Sequence, residues 1–247
     1  MACHLFRLSS LFYFVFLFLP ALVCNSQQNN TNKKENLFLL VNKKVDSYLE
    51  NDFLLMNARF LINKFRKAKG KPYFETTTDA PGKLVLGKKE YNNIPLIYDI
   101  YDQKLYFIAE NTSNNGAILE LNNQVITRFY LEDKIFVNSS ELPLFPQSGF
   151  YERIFLGKHL KVYARWSKIF IPRNSDEYIG EFGFQNRKLF FDINGKKIEV
   201  SSKHSFLKIF ASQRDEINSY IKRNKISFIK SNNIDLIKLL KYTDSLL

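Results

Sequence analysis

The stretch that decides the fold class is Phe190-Phe191-Asp192-Ile193-Asn194-Gly195-Lys196-Lys197-Ile198-Glu199-Val200. Asn194-Gly195 separates two runs in which apolar and polar residues alternate, and both residues tolerate the positive φ of a type I′ turn. Two alternating runs joined by Asn-Gly predict a tight antiparallel hairpin.

The same period of two extends upstream from this hairpin to Gly82. The candidate strands are 83–86, 94–101, 104–109, 117–121, 125–131, 134–137, 151–156, 161–171, 177–184, 188–193 and 197–200. Short turn sequences such as Asn122-Asn123 and Glu132-Asp133 separate them. Because parallel strands would need crossover helices, these short links predict an antiparallel meander. Residues 70–200 are therefore expected to form a β-rich core, either barrel-like or sandwich-like.

The segment 36–69, before this core, shows a helical period instead. Val45, Leu49, Phe53, Met56 and Phe60 recur at steps of three and four residues. Four cations follow in 64–69, where positive charge suits the end of a helix, and Gly70 comes next. This pattern predicts a helix buried against the core.

The segment 201–247, after the core, returns to the helical period. Ser202 is expected to cap a short helix that runs to Phe210, and Ser212-Gln-Arg-Asp215 is expected to form a capping box for a second helix. Asn232 or Asn233 is expected to cap a third. The predicted fold class is α+β: an antiparallel β-meander with a buried N-terminal helix and a C-terminal cap of short helices.

Residues 1–26 have the outline of a secretory signal peptide. Arg7 precedes the apolar run of residues 11–23, and polar residues follow it. The run is shorter than the roughly 20 apolar residues that a membrane-spanning helix needs, so no transmembrane span is expected in the mature chain. We expect the protein to be exported, to the periplasm or the outer membrane, with 27–35 as a polar tether.

The two cysteines both lie in or beside this signal. Cys3 is removed with it, whereas Cys24 follows Ala21-Leu22-Val23 and has the outline of a lipidation site. The alternative is ordinary cleavage near Ser26. Both alternatives leave no disulfide framework, no thiol nucleophile and no cysteine metal site.

The chain is strongly basic, with 36 Lys and Arg against 24 Asp and Glu and a net charge of +12. Such a balance favours anionic partners, here an acidic envelope protein or an anionic component of the cell surface. Export argues against nucleic acid. A second interpretation is that abundant Lys, Asn, Ile and Phe reflect an AT-rich genome.

The motifs for catalysis and for cofactors are incomplete. The segment 82–89 matches the spacing of a phosphate-binding loop but carries Lys89 where Ser or Thr is required. His159 and His204 have no acidic cluster beside them, and Ser148 lacks the preceding glycine of a nucleophile elbow. We predict no catalytic residue, no cofactor and no metal, although acidic residues far apart in sequence could still meet in the fold.

One strand carries a candidate contact surface. Leu160, Val162, Ala164 and Trp166 alternate with a basic and aromatic row, so Trp166 is expected in the core. The other row contains Lys161, Tyr163 and Arg165. These three side chains are the predicted contact residues for a sugar or an anionic group.

Several short segments of the sequence resemble those of a known family. They are Pro81-Gly-Lys-Leu-Val-Leu, Ile94-Pro-Leu-Ile-Tyr-Asp-Ile-Tyr101, Gly149-Phe-Tyr-Glu, Ile221-Lys-Arg-Asn-Lys-Ile226 and Asp235-Leu-Ile-Lys-Leu-Leu-Lys-Tyr242. Together they are similar to a family of uncharacterised, signal-bearing envelope proteins of Bacteroidota, over roughly residues 70–247. The resemblance implies location in the envelope and no particular activity.

Three functions agree with these patterns. The leading expectation is a non-enzymatic accessory protein, periplasmic or associated with the outer membrane, that binds another envelope component. The first alternative is a hydrolase of glycan or peptide that uses acids assembled by the fold. The second is a lipid or anionic-glycan binding protein that works through its lysine-rich surface.

Overall fold

The computed structural model describes residues 56–60, 64–74, 81–109, 117–143, 145–173, 177–228 and 233–247. The signal peptide, Cys24, the tether and residues 36–55 of the expected helix lie outside the described residues. Within the ranges that are described, no helix is both long enough and apolar enough to cross a membrane.

Strands dominate the described part of the chain. They are β1 (Met56–Phe60), β2 (Ala68–Lys69), β3 (Pro81–Leu86), β4 (Lys89–Asp99), β5 (Lys104–Ala109), β6 (Ala117–Leu121), β7 (Arg128–Leu131), β8 (Lys134–Asn138), β9 (Phe150–Leu156), β10 (Leu160–Ser167), β11 (Phe170–Pro172), β12 (Gly180–Phe182), β13 (Asn186–Ile193) and β14 (Lys196–Val200). The helices are α1 (Lys203–Ile209), α2 (Arg214–Arg223) and α3 (Asn233–Ser245).

Eleven strands form one antiparallel sheet in the order β1-β6-β5-β4-β3-β7-β8-β9-β10-β13-β14. Most neighbours in this sheet are also neighbours in sequence, which is the meander that the short turns predict. A separate three-stranded sheet has the order β11-β12-β2, and its β2–β12 pair is parallel. The fold class is α+β with antiparallel pairing in the main sheet.

The first part of the large sheet curls around an aromatic core. In the sheet, β4 and β9 are separated by three strands, yet the Tyr98 hydroxyl lies 3.4 Å from the carbonyl oxygen of Phe150. The Phe129 and Phe136 rings stack beside Tyr98, with their centroids 4.7 Å apart. Strong curvature is what allows one compact cluster to fill the concave face.

The second part of the large sheet is covered by the three helices. Phe206 of α1, Ile217 of α2 and Leu239 of α3 are fully buried against the face of β10 and β13 that carries Val162 and Phe191. The helices thus bury one face of these strands, as the apolar stripes of 201–247 predict.

The predicted hairpin is confirmed. Ile193 pairs with Lys196, and Asn194 and Gly195 have φ values of 50° and 86°. The predicted bounds of β5 and β6 agree residue for residue with the structure. The Ser202 cap is confirmed as well, since its side chain accepts a hydrogen bond from the Ser205 backbone N–H.

The predicted helix over 36–69 is wrong wherever this segment is described. Residues 56–60 form β1, which pairs with β6 through Met56↔Leu121 and Phe60↔Leu119. Residues 64–67 form a turn that leads into β2. Apolar residues at 56, 58 and 60 satisfy a strand period as well as a helical one, and pairing with the free edge of β6 decides between the two.

Three smaller predictions also need correction. The predicted strand 161–171 is two strands, because β10 ends at Ser167 and β11 belongs to the small sheet. Ser212 forms no capping box: α2 begins at Arg214 without a side-chain cap. Of the two predicted caps of α3, Asn233 is the first residue of the helix and bonds to the sheet through its side chain, whereas Asn232 lies outside the described residues.

Candidate functional site

The small sheet brings three distant segments into one surface lobe. We call residues 64–73, 168–173 and 177–185 the basic lobe. β12 pairs with β11 through Ile171↔Glu181 and with β2 through Glu181↔Lys69. Backbone bonds extend this pairing, since the Ile179 N–H donates to the Lys67 carbonyl at 3.1 Å. The lobe is therefore an ordered platform and not a loose loop.

Gly180 allows the two strands of the lobe to approach each other closely. Its φ is +150°, and a Cβ at this position would lie 2.5 Å from the Ile171 carbonyl oxygen. Real Cβ atoms do not come that close, so the pairing of β11 with β12 requires glycine here.

The inner face of the basic lobe is an aromatic cluster. Phe65 packs against Phe170, Phe182 and Tyr101, with ring centroids 4.8–5.5 Å apart. The Lys168 ammonium donates to the carbonyl oxygens of Lys71 and Tyr73 at 3.1 and 2.8 Å. The Lys168 bonds join two segments of the lobe, and the contact of Phe65 with Tyr101, which follows β4, attaches the lobe to the large sheet.

The outer face of the basic lobe is apolar and open to solvent. Strand alternation places Ile169, Ile171 and Ile179 on this face, and their exposed fractions are 65%, 37% and 38%. Phe184, just beyond β12, is 97% exposed. Single exposed apolar residues are common, but four on one small platform mark an interaction surface.

Positive charge surrounds this apolar face. The described residues of the lobe include seven Lys and Arg but only two carboxylates, Glu177 and Glu181. Arg66, Lys67 and Lys71 are exposed. Arg173 bonds to Glu181 at 3.0 Å, and the Lys69 ammonium lies 4.0 Å from the centre of the Tyr178 ring. The outer face of the lobe thus combines exposed isoleucines with Glu181, which is paired with Arg173, and with an excess of cations.

The predicted contact residues do not share an exposed surface. Lys161 is exposed, Tyr163 is only 6% exposed, and Arg165 is half-buried with its guanidinium 5.3 Å from the centre of the Tyr151 ring. Leu142 and Phe145 cover this face of the sheet, and the Phe145 ring packs 5.2 Å from that of Tyr163. Strand alternation alone could not predict this cover.

Trp166 is half-buried at the edge of the aromatic core, where its ring lies 5.2 Å from that of Phe74. Its indole N–H donates to Glu152 Oε2 at 2.6 Å. The Asn233 amide donates to Glu152 Oε1 at 2.9 Å and accepts from Arg187 at 2.9 Å. The core prediction for Trp166 missed this polar partner.

Glu152 is the centre of a structural network. It is 1% exposed, and it lies between Phe150 of the aromatic core and Ile154 of the helix-covered core. Burial raises the pKa of Glu152 above its ordinary value, although the hydrogen bonds from Trp166 and Asn233 oppose this. Because both carboxylate oxygens are engaged and shielded from solvent, Glu152 joins α3 to the sheet and does not face a substrate.

The histidines lie apart, His159 half-buried beside β10 and His204 exposed on α1. Over the described ranges, no group of three or more His, Cys, Asp and Glu residues could hold a metal ion. Comparison with known proteins finds no similarity: no family model, no curated protein and no solved structure matches this chain. The function of the basic lobe therefore has to follow from its own residues.

Proposed function

We propose that this chain is an exported, non-enzymatic binding protein of the cell envelope that attaches to an anionic lipid surface through the basic lobe. The observation that carries the proposal is the group of exposed apolar side chains on the lobe, Ile169, Ile171 and Ile179 on its outer face and Phe184 just beyond β12, in a segment rich in Lys and Arg. Peripheral membrane proteins combine these two features, because apolar side chains enter the headgroup boundary while cations contact anionic headgroups.

The two contributions are of similar size. A Lys or Arg near an anionic bilayer contributes about 1 kcal/mol, and burying a large apolar side chain contributes about 1.5–3 kcal/mol. Neither the exposed cations nor Phe184 with Ile169 would hold the protein alone. Acting together they support reversible attachment that weakens as salt screens the charges.

The signal-like segment 1–26 supports export, and the resemblance to envelope proteins of Bacteroidota agrees with it. Lipidation at Cys24 and cleavage near Ser26 remain the two alternatives. A single acyl chain binds a membrane only marginally, so a lipidated Cys24 would still need a second contact. The basic lobe would supply that contact.

Co-sedimentation with lipid vesicles tests the proposal. The purified protein is mixed with vesicles of phosphatidylcholine alone or of phosphatidylcholine with phosphatidylglycerol. We expect binding to the anionic vesicles only, with loss at high salt. Arg66→Gln with Lys67→Gln should weaken binding about tenfold or more, since two cations contribute about 2 kcal/mol.

Matched controls separate the lobe from total charge. Lys208→Gln with Lys222→Gln removes two exposed cations from α1 and α2, far from the lobe in sequence, and should leave vesicle binding unchanged. Phe184→Ser should weaken binding without changing thermal stability, because the side chain is 97% exposed. Equal loss in both charge variants, equal binding to neutral vesicles, or capture of an acidic envelope protein without vesicle binding would overturn the lipid proposal.

A further inference from the structure

A cleft of about 870 Å³ opens beside the turn between β4 and β5. It is bounded by this turn, by the 122–124 loop after β6 and by residues 138–143 and 145–149, which precede β9. Its wall is rich in carboxamides: Gln103, Asn122, Asn123, Gln124, Asn138 and Gln147. The sequence shows these residues only as scattered turn and loop positions.

Three of these amides build a rigid wall. The Gln103 amide donates to the carbonyl oxygens of Ile100 and Trp166 at 2.8 and 2.9 Å. Asn123 donates to the Gln103 carbonyl at 2.8 Å, and Asn138 donates to the Asn123 carbonyl at 2.7 Å. This chain of bonds fixes the shape of the cleft before any ligand enters, which lowers the entropic cost of binding.

The rim of the cleft carries polar side chains that face solvent. Gln124, Ser140, Gln147 and Ser148 all line the cleft and are exposed. Amides and hydroxyls of this kind both donate and accept hydrogen bonds, so they can match a ligand that presents many hydroxyl groups.

The cleft is close to neutral in a chain whose net charge is +12. Its ionisable lining residues are Asp102, Lys104 and Glu120. The Lys104 ammonium pairs with Glu120 at 2.9 Å, and Asp102 pairs with Lys64 of the basic lobe at 2.9 Å. Among the residues that the structure describes, the cleft offers an anionic ligand no unpaired cation, and an uncharged polar ligand meets a balanced surface.

One end of the cleft carries an unsatisfied donor behind its wall. Arg165 Nη1 is buried and has no hydrogen-bond partner within the described part of the chain. It lies beside Gly149, where a Cβ would be 3.1 Å from Nη1 and 3.0 Å from Gln103 Oε1. A buried unsatisfied donor costs about 1–3 kcal/mol, and Arg165 does not itself line the cleft, so this donor lies behind the wall at Gly149 and Gln103.

We propose that this cleft is a binding site for a short neutral saccharide. Its volume lies in the usual range for small-ligand sites, about 300–1,000 Å³. The internally bonded amides hold the shape of the wall, and the exposed amides and hydroxyls on the rim would bond to the sugar hydroxyls. This site adjoins the basic lobe at the Lys64–Asp102 pair but shares no lining residue with it, so either proposal can fail without the other.

Titration followed by ¹H–¹⁵N NMR tests the cleft. The probes are maltotriose, cellotriose and N,N′,N″-triacetylchitotriose, with trigalacturonic acid as an anionic comparison. At least one neutral trisaccharide should bind, with an affinity on the order of millimolar, and should shift the amide signals of Gln124 and Gln147. Added salt should not weaken this binding, because the contacts are between neutral groups.

The double variant Gln124→Ala with Gln147→Ala removes two exposed rim amides and should weaken binding about tenfold, which equals about 1.4 kcal/mol. Asn186→Ala, an exposed amide on β13, is the matched control and should bind as the unchanged protein does. The proposal is overturned if no neutral trisaccharide binds, if trigalacturonic acid binds more tightly, or if the two variants behave alike.

Discussion

Asp244, near the end of α3, holds the turn between β9 and β10 by three hydrogen bonds. Its Oδ2 accepts from the Lys158 N–H at 2.8 Å, and its Oδ1 accepts from the N–H groups of His159 and Leu160 at 2.9 and 2.8 Å. Gly157 makes room for the carboxylate, since a Cβ there would lie 2.4 Å from Asp244 Cγ. The perturbation is Asp244→Ala, with Asp244→Asn as a milder change.

The size of the effect follows from these bonds. A hydrogen bond to a charged group contributes about 1.5–3 kcal/mol when it is well shielded. Lys158 is exposed, so in the variant water can bond to its backbone N–H and recover part of the lost free energy. We expect Asp244→Ala to lower the free energy of unfolding by about 2–4 kcal/mol, or roughly 10 °C in Tm. Asp244→Asn should cost less, because one amide oxygen can still accept from two donors.

The stability lost in Asp244→Ala should be larger at neutral pH than at acid pH. Burial raises the pKa of Asp244, but the three backbone N–H bonds and the nearby His159 outweigh it, so this pKa lies below the ordinary value. A carboxyl whose folded-state pKa is lowered stabilises the protein above its unfolded pKa and loses this contribution as pH falls through the folded value. The difference between the unchanged protein and Asp244→Ala should therefore be full near neutral pH and shrink below about pH 4.

Urea denaturation followed by Trp166 fluorescence measures this difference at neutral and at acid pH. Glu199→Ala is the control: it removes an exposed carboxylate that pairs with Lys188 at 3.3 Å, and it should change stability by less than about 1 kcal/mol. An unchanged urea midpoint for Asp244→Ala at neutral pH would show that these three hydrogen bonds do not stabilise the fold. A loss of equal size at both pH values would show that the charge is not responsible.

Two further predictions concern buried carboxyls. Burial raises the pKa of Asp99 to about 6, so the folded protein binds more protons than the unfolded chain between about pH 4 and 6 and loses stability as pH rises through this window. In Asp99→Asn the side-chain oxygen can still accept from the N–H groups of Tyr101 and Asp102. Urea titrations of this variant should therefore show little pH dependence of stability between about pH 4 and 6. At neutral pH its stability should equal or exceed that of the unchanged protein. Glu152→Ala leaves the Trp166 N–H and the Asn233 amide without their acceptor and should lower the free energy of unfolding by about 3–5 kcal/mol. Glu152→Gln retains one acceptor and should lower it by less. Urea midpoints and Trp166 emission measure both effects.

The strands could be predicted because local signals define them. Turn residues at Asn194-Gly195 and Asn122-Asn123 fix where neighbouring strands begin and end, and a meander needs no information about distant pairing. The predicted bounds of β5 and β6 therefore agree with the structure. Met56–Phe60 was assigned to a helix because a short apolar run satisfies both periods, and only the edge of β6 decides for a strand.

The two candidate sites could not be predicted in this way because non-local contacts create them. β2 has two residues and β12 has three, too few for any periodic signal, and their parallel pairing joins positions more than 100 residues apart in the chain. Tyr163 is a second case in which a non-local contact changes what the local sequence predicts. Its alternation is that of an exposed row, yet it is buried because Leu142 and Phe145 cover this face of the sheet.

The distribution of charge bears on whether the basic composition is functional. If an AT-rich genome alone had supplied the lysines, cations should occur at exposed positions with little regard to place. Instead, the described residues of the basic lobe hold seven Lys and Arg around an apolar face, whereas the cleft is lined by one lysine, which is paired with Glu120. Unequal placement of this kind supports two surfaces with different ligands, one anionic and one neutral. If that interpretation holds, salt should weaken attachment at the lobe and leave binding in the cleft unchanged.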